Sequence, residues 1–178
     1  MKLIDMAEKY GNSTYNYPFE PYLVPEGFRG KPVYDYEKCI GCTACAVACP
    51  SNAINVKLNE DNSKLVWEFD CARCIFCGRC DEVCPTNAVV QSEQFELAVK
   101  FDKNALKIRG ELDLQHCEVC NTAFTTKRLI SYDIERLQRA GWSKESIKEK
   151  TAYIRTCPEC KKNKVVEETN KYFSGGIK

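Results

Sequence analysis

Two cysteine runs carry the chemistry of this 178-residue chain: Cys39-x-x-Cys42-x-x-Cys45-x-x-x-Cys49-Pro50 and Cys74-x-x-Cys77-x-x-Cys80-x-x-x-Cys84-Pro85. A cubane iron–sulfur centre needs four thiolates around its corners, and three closely spaced cysteines can wrap one such centre. The fourth cysteine points away along a short helix and, where two runs occur together, ligates the other centre. Cys39, Cys42, Cys45 and Cys84 are therefore expected to hold one [4Fe–4S] cluster, and Cys74, Cys77, Cys80 and Cys49 the second. The middle cysteines, Cys42 and Cys77, are both present, so neither site has the composition of a three-iron centre. Gly41 lets the first loop approach sulfur and offer a backbone N–H, whereas Phe76 stands in the second loop with Arg73 and Arg79 nearby. Different local fields imply unequal potentials.

A second pattern, Cys117-x-x-Cys120 with Cys157-Pro158-x-Cys160, has zinc-ribbon or rubredoxin-type spacing. Four sulfurs in a tetrahedron suit zinc or a single iron. We expect one zinc, with mononuclear iron as the alternative. His116, the one histidine of the chain, adjoins the first of these ligands and is a competing donor. Cys71, the thirteenth cysteine, lies off both spacings. It reads either as a buried free thiol or as a spare, oxidation-sensitive ligand.

Composition narrows the alternatives. Lysine plus arginine (26) nearly cancel aspartate plus glutamate (25), so nothing marks a nucleic-acid partner. A single histidine leaves little material for imidazole catalysis, and no Gly-rich phosphate loop of Rossmann or Walker type is present. No small-molecule substrate is expected, and the chain reads as a subunit of an oxidoreductase rather than an enzyme by itself. Residues 1–11 hold Asp5 and Glu8 without an apolar run of signal-peptide length. The odd number of closely spaced cysteines fits metal ligands in a cytoplasmic protein better than disulfides. Cys39 to Val56 has no charge for eighteen positions but contains Pro50, Ser51, Asn52, Asn55 and four cysteines, so it is not expected to span a membrane.

The elements that must position these residues follow an internal repeat with an offset of thirty-five. Besides the cysteines it pairs Pro50, Asn52, Ala53 and Ile54 with Pro85, Asn87, Ala88 and Val89. Each half reads as a cysteine loop, a short helix ending near the Cys-Pro pair, then a strand. Lys64 to Phe69 is a further strand, and Phe95 to Phe101 is expected to be another. Ahead of the repeat, Leu3, Ile4, Ala7 and Tyr10 share one helical face, and a proline-punctuated aromatic stretch from Tyr15 to Phe28 favours an extended path. Behind it, Leu129, Ile130, Ile134 and Leu137 mark an amphipathic helix, Gly141 a stop and Ser143 a second helix cap.

The expected fold class is α+β. A two-cluster bacterial-ferredoxin-like core (32–100) follows an extended N-terminal docking arm (1–31). A C-terminal four-cysteine, zinc-ribbon or rubredoxin-like knuckle with a helical insert (101–166) precedes a flexible tail (167–178).

Beyond the generic pattern, Pro25-Glu26-Gly27-Phe28-Arg29-Gly30-Lys31-Pro32, Cys74-Ile75-Phe76-Cys77-Gly78-Arg79-Cys80 and Glu96-Leu97-Ala98 resemble the ferredoxin-like iron–sulfur subunit of membrane-bound group 4 [NiFe]-hydrogenases, of the formate hydrogenlyase or hydrogenase-4 type. That subunit is similar to the complex I subunit that carries two tetranuclear clusters. The likeness is strongest from Pro18 to Ala98, and Thr156-Cys157-Pro158-Glu159-Cys160 favours the hydrogenlyase branch. The resemblance implies a peripheral position on the cytoplasmic face of the cell membrane. It also implies an upstream iron–sulfur donor subunit, the hydrogenase small and large subunits, and membrane subunits as partners. Electrons would pass to the small subunit for proton reduction. A complex I-type role toward quinone and a redox-sensing scaffold are the alternatives.

Overall fold

A computed structural model describes residues 2–11 and 14–174. Helix α1 (Leu3–Tyr10) has no buried residue, and Leu3, Ile4 and Tyr10 are exposed. The chain then runs without helix or strand to β1 (Pro32–Tyr34), as its prolines require. Tyr17, Tyr22 and Phe28 converge on Phe95, with ring centroids 5.7 to 6.3 Å from it. The Tyr17 hydroxyl donates to Glu96. Phe95 opens the segment for which the sequence suggested a strand. No ladder forms there, because its side chains are taken up by this aromatic cluster instead. The arm is thus partly packed on its own body, while Tyr15, Phe19 and Leu23 remain exposed.

The core adds α2 (Ala44–Ala48), β2 (Ile54–Leu58), β3 (Lys64–Asp70), α3 (Arg79–Glu82) and β4 (Val89–Gln91). Strands β1 and β4 pair antiparallel with Tyr34 opposite Val89, and β2 pairs with β3 with Ile54 opposite Phe69. The offset of thirty-five carries the first of these pairs onto the second, so the sequence repeat is also a repeat of strand register. It extends to the backbone: Gly41 and Phe76, Thr43 and Gly78, and Asn52 and Asn87 all have positive φ. Four of these six are not glycine, and a left-handed conformation costs a non-glycine residue about 1–2 kcal/mol. The loops are therefore held in shape by what they wrap and by the packing behind them.

The C-terminal part comprises β5 (Lys107–His116), β6 (Ala123–Thr126), α4 (Lys127–Arg139), α5 (Lys144–Ile154) and α6 (Pro158–Ser174). Strand β5 alternates: Gly110, Leu112 and Leu114 are buried between exposed neighbours. It pairs along the whole of β3, so one sheet of order β2-β3-β5-β6 runs from the core into the four-cysteine segment. Gly110 lies opposite Trp67, and a Cβ there would stand 1.6 Å from the Tyr36 ring. Only glycine lets that ring cross the strand, where the Tyr36 hydroxyl donates to the Arg109 carbonyl. Thr126 caps α4 by accepting from the Leu129 N–H, and Ser143 caps α5 by accepting from Ser146. Where the sequence suggested a flexible tail from 167, α6 continues as helix to Ser174 with no buried residue. Residues 175–178 of that tail lie outside the described residues.

The core is aromatic. Tyr34 stacks on Trp67 with centroids 3.8 Å apart and planes 5° from parallel, and Phe69 is 1% exposed beside them. Such a pair adds about 0.5–1.5 kcal/mol beyond its area burial. No helix among the described residues is long and apolar enough to cross a membrane.

Candidate metal centres

The cysteine loops enclose two cavities, one on each side of the stacked rings. The first, about 400 Å³, is lined by Cys39, Cys42, Cys45 and Cys84, closed by Tyr34, Val56 and Trp67. The second, about 310 Å³, is lined by Cys49, Cys74, Cys77 and Cys80, closed by Phe69 and Gln91. The crossing arises locally. Helices α2 and α3 each carry the chain away from three cysteines of one loop and deliver the fourth beside the other cavity.

Hydrogen bonds prepare the fourth cysteines as thiolates. The Ala53 N–H lies 3.2 Å from Cys49 Sγ, and the equivalent Ala88 N–H lies 3.1 Å from Cys84 Sγ. The hydroxyls of Ser51 and Thr86 stand 3.7 and 3.8 Å from the same two sulfurs. Burial pushes both thiols up, but backbone and hydroxyl donors outweigh it, and both are lowered from the ordinary thiol value. Elsewhere burial wins. It raises Cys45, despite the Trp67 Nε1–H at 3.4 Å, and Cys74, and it pushes Cys80 up to about 11. Soft sulfur donors in sets of four, some held protonated by burial, fit a centre whose own positive charge relieves that cost. The donor sets thus fit two [4Fe–4S] clusters.

Charge reaches the two loops from opposite ends of the chain. Arg29 donates to the Cys77 carbonyl at 2.8 Å and lies against Gly78. Arg128 donates to the Tyr36 carbonyl and contacts Glu37. Beside it, buried Thr126 donates its hydroxyl to the Ile40 carbonyl in the first loop. Gly41 meets the same side chain: a Cβ there would stand 2.5 Å from Thr126 Cγ2, at a φ of +72°. Phe76, the equivalent of Gly41, has the same left-handed backbone without that constraint. Arg79, read from the sequence as a charge near the second loop, is paired with Glu82.

The third centre lies at the turn between β5 and β6 and the start of α6. The sulfurs of Cys117, Cys120, Cys157 and Cys160 all lie within 4.8 Å of one another. Cys117 is buried and accepts from the N–H groups of Cys157 at 3.2 Å and Val119 at 3.4 Å. Burial opposes ionisation there, yet these backbone donors dominate and lower Cys117 to about 6. Cys160 is pushed up to about 12 by the neighbouring Cys157 and Cys120 thiols. Four thiols this close cannot all ionise by themselves, and a bound divalent cation removes the conflict. His116 is exposed and does not belong to the group. Cys71 is buried in the aromatic core, raised by burial, and lines neither cavity.

The cysteines were legible from spacing. Trp67, Arg29, Thr126 and Arg128 were not, since their contacts join segments 22 to 86 residues apart or more.

Residues 38–88 match the 4Fe-4S dicluster domain family. Formate hydrogenlyase subunit 6 of Escherichia coli (strain K12) is 45% identical over 156 residues, covering 88% of this chain and 85% of that one. NAD(P)H-quinone oxidoreductase subunit I of Nostoc sp. is 40% identical over 59 residues, 33% of this chain and 26% of that one. Among solved structures, a chain of the archaeal membrane-bound sulfane sulfur reductase is 30% identical with a TM-score of 0.43, over 56% of this chain and 55% of that one.

Thr126 ties the four-cysteine segment to the first cysteine loop. Thr126→Val keeps its shape but removes both the Ile40 bond and the α4 cap, a loss of about 1–3 kcal/mol. Hydrogen–deuterium exchange of the cluster-loaded chain should accelerate at residues 40–43 and 126–130. Unchanged exchange in both stretches would show that this contact does not hold the segments together.

Proposed function

We propose that this chain, which belongs to the family of formate hydrogenlyase subunit 6, relays electrons to the small subunit of a membrane-bound [NiFe]-hydrogenase for proton reduction. The observation that carries the reading is the pair of adjoining four-cysteine cavities in a chain covering nearly all of that relative. Its iron–sulfur, electron-transfer character follows from the family and from the dicluster domain. Each cubane, when bound, takes up one electron and gives it back with little rearrangement.

The residues do the rest. Cys39, Cys42, Cys45 and Cys84 would hold the first cluster, and Cys74, Cys77, Cys80 and Cys49 the second. The lining of the two cavities supports this grouping. The shared aromatic wall of Tyr34, Trp67 and Phe69 keeps water from the space between them. Residues 1–31 would serve as the docking arm, since α1 and the rings of Tyr15 and Phe19 are left without cover. Residues 32–100 would be the ferredoxin-like unit and 101–166 the zinc-ribbon-like knuckle. The partners would be the hydrogenase small and large subunits, an upstream iron–sulfur donor subunit and membrane subunits, on the cytoplasmic face.

Three measurements test this reading. Affinity purification of the tagged full chain from native membranes should recover the nickel–iron subunits, with both clusters reduced during turnover. Recovery with quinone-reductase subunits alone would overturn it.

Cys84→Ser should perturb the spectrum of the cluster held by Cys39, Cys42 and Cys45. Damage confined to the cluster of Cys74, Cys77 and Cys80 would refute the crossed grouping.

Metal analysis of the full chain should find one zinc beyond the cluster iron, lost in Cys117→Ser. Zinc suits a segment whose helices bury few side chains, because it stabilises the turn without opening a side route for electrons. A reversible mononuclear iron band lost in Cys117→Ser would make the knuckle a third redox centre instead.

A further inference from the structure

The offset of thirty-five relates more than the cysteines. In the strands it pairs Tyr34 with Phe69 and Val56 with Gln91. Tyr34 and Val56 line the first cavity, and Phe69 and Gln91 line the second. The two cavities therefore exchange one polar group. The first has a phenol where the second has a bare ring, and the second has a carboxamide where the first has an isopropyl group.

The hydrogen-bond inventory singles out the same two positions. Among the described residues, the buried side-chain polar atoms without a partner are Tyr34 Oη and Gln91 Oε1. Burying a hydroxyl without a partner destabilises a fold, so such atoms call for an explanation. Tyr34 is 8% exposed and its ring is fixed. It is stacked on Trp67 and held edge-on by Tyr36 at 4.3 Å. Burial, and then the neighbouring Cys39, push its phenol far above the ordinary value, so the group stays an O–H donor. The first cavity also holds the Trp67 Nε1–H at Cys45, and the offset places Pro32, which has no donor, at the position equivalent to Trp67. In the second cavity the Gln91 Nε2 stands 3.9 Å from Cys80 Sγ.

We propose that Tyr34 is a positioning residue for the first [4Fe–4S] centre, its O–H donating to a sulfur of that centre and raising its potential relative to a phenylalanine-lined site. The proposal rests on the ligand grouping given above. A hydrogen bond to sulfur stabilises the extra negative charge of the reduced state, which is how such bonds raise potentials. The Tyr34–Phe69 exchange is then one means by which a near-symmetric core makes its two electron sites unequal.

Tyr34→Phe removes one oxygen and installs the residue that the repeat already carries in its other half. The full chain, loaded with both clusters, is assayed for iron and sulfide and titrated electrochemically with paramagnetic resonance detection. The expected result is full cluster content, a downward shift of one cluster's potential, no shift of the other, and loss of one solvent-exchangeable proton coupling at the shifted cluster. Unchanged potentials at full content, or equal shifts of both clusters, would overturn the proposal. So would a shift confined to the cluster that Cys84→Ser leaves intact, and that outcome would count against the grouping as well. Should Tyr34→Phe load poorly, 3-fluorotyrosine at position 34 keeps the ring and strengthens the donor. An upward shift of the same cluster then supports the proposal, and no shift overturns it.

Discussion

Crowded thiolates govern this molecule. Sulfur ligands must be deprotonated to bind metal, yet negative charges brought together out of water repel one another and lose hydration. Twelve of the thirteen cysteines gather into three groups of four. Each group combines positions that burial or a neighbouring thiol pushes up with positions that hydrogen bonds pull down. The arrangement makes sense only around cationic centres, and the surrounding structure is organised to tolerate it. Loops with left-handed residues turn their N–H groups inward, and short helices carry the fourth cysteine across.

A second consequence concerns how the parts are joined. The ferredoxin-like core of a two-cluster chain is small, and here β5 extends its sheet into the four-cysteine segment. Three close approaches make the junction. The Tyr36 ring lies on Gly110, Thr126 lies on Gly41, and Arg128 reaches the backbone ahead of the first cysteine. The first cavity is thereby covered by the C-terminal segment. The second is bordered by Arg29 from the N-terminal arm and leaves Ile75 exposed on its loop. The same repeat thus meets two unlike surroundings, one closed by its own chain and one open toward other surfaces.

That inequality matters for an iron–sulfur electron-transfer subunit. A relay needs sites that differ in potential or in access, and a strictly symmetric core would supply neither difference. In this chain the differences come from residues outside the cysteine motifs: a phenol against a phenyl ring, an indole N–H at one cavity, and arginines drawn from distant segments.

The sequence by itself determined the chemistry. Cysteine spacing identified two tetranuclear sites and a four-sulfur knuckle, because ligand geometry is encoded within a dozen residues. The offset of thirty-five announced the duplicated unit, and the caps at Thr126 and Ser143 began helices as local side-chain chemistry dictates. Tertiary structure decided what sequence distance conceals. It took Phe95 out of a strand and into an aromatic cluster, since ring burial outweighed extended propensity. It ran α6 through a polar tail, where helix propensity needs no buried face to continue. It set Cys84 beside Cys39, Cys42 and Cys45, and brought Tyr34, Trp67, Thr126 and Arg128 around that first loop. Those placements depend on strand register and on which side chains can approach a glycine, and neither is a property of any short stretch of chain.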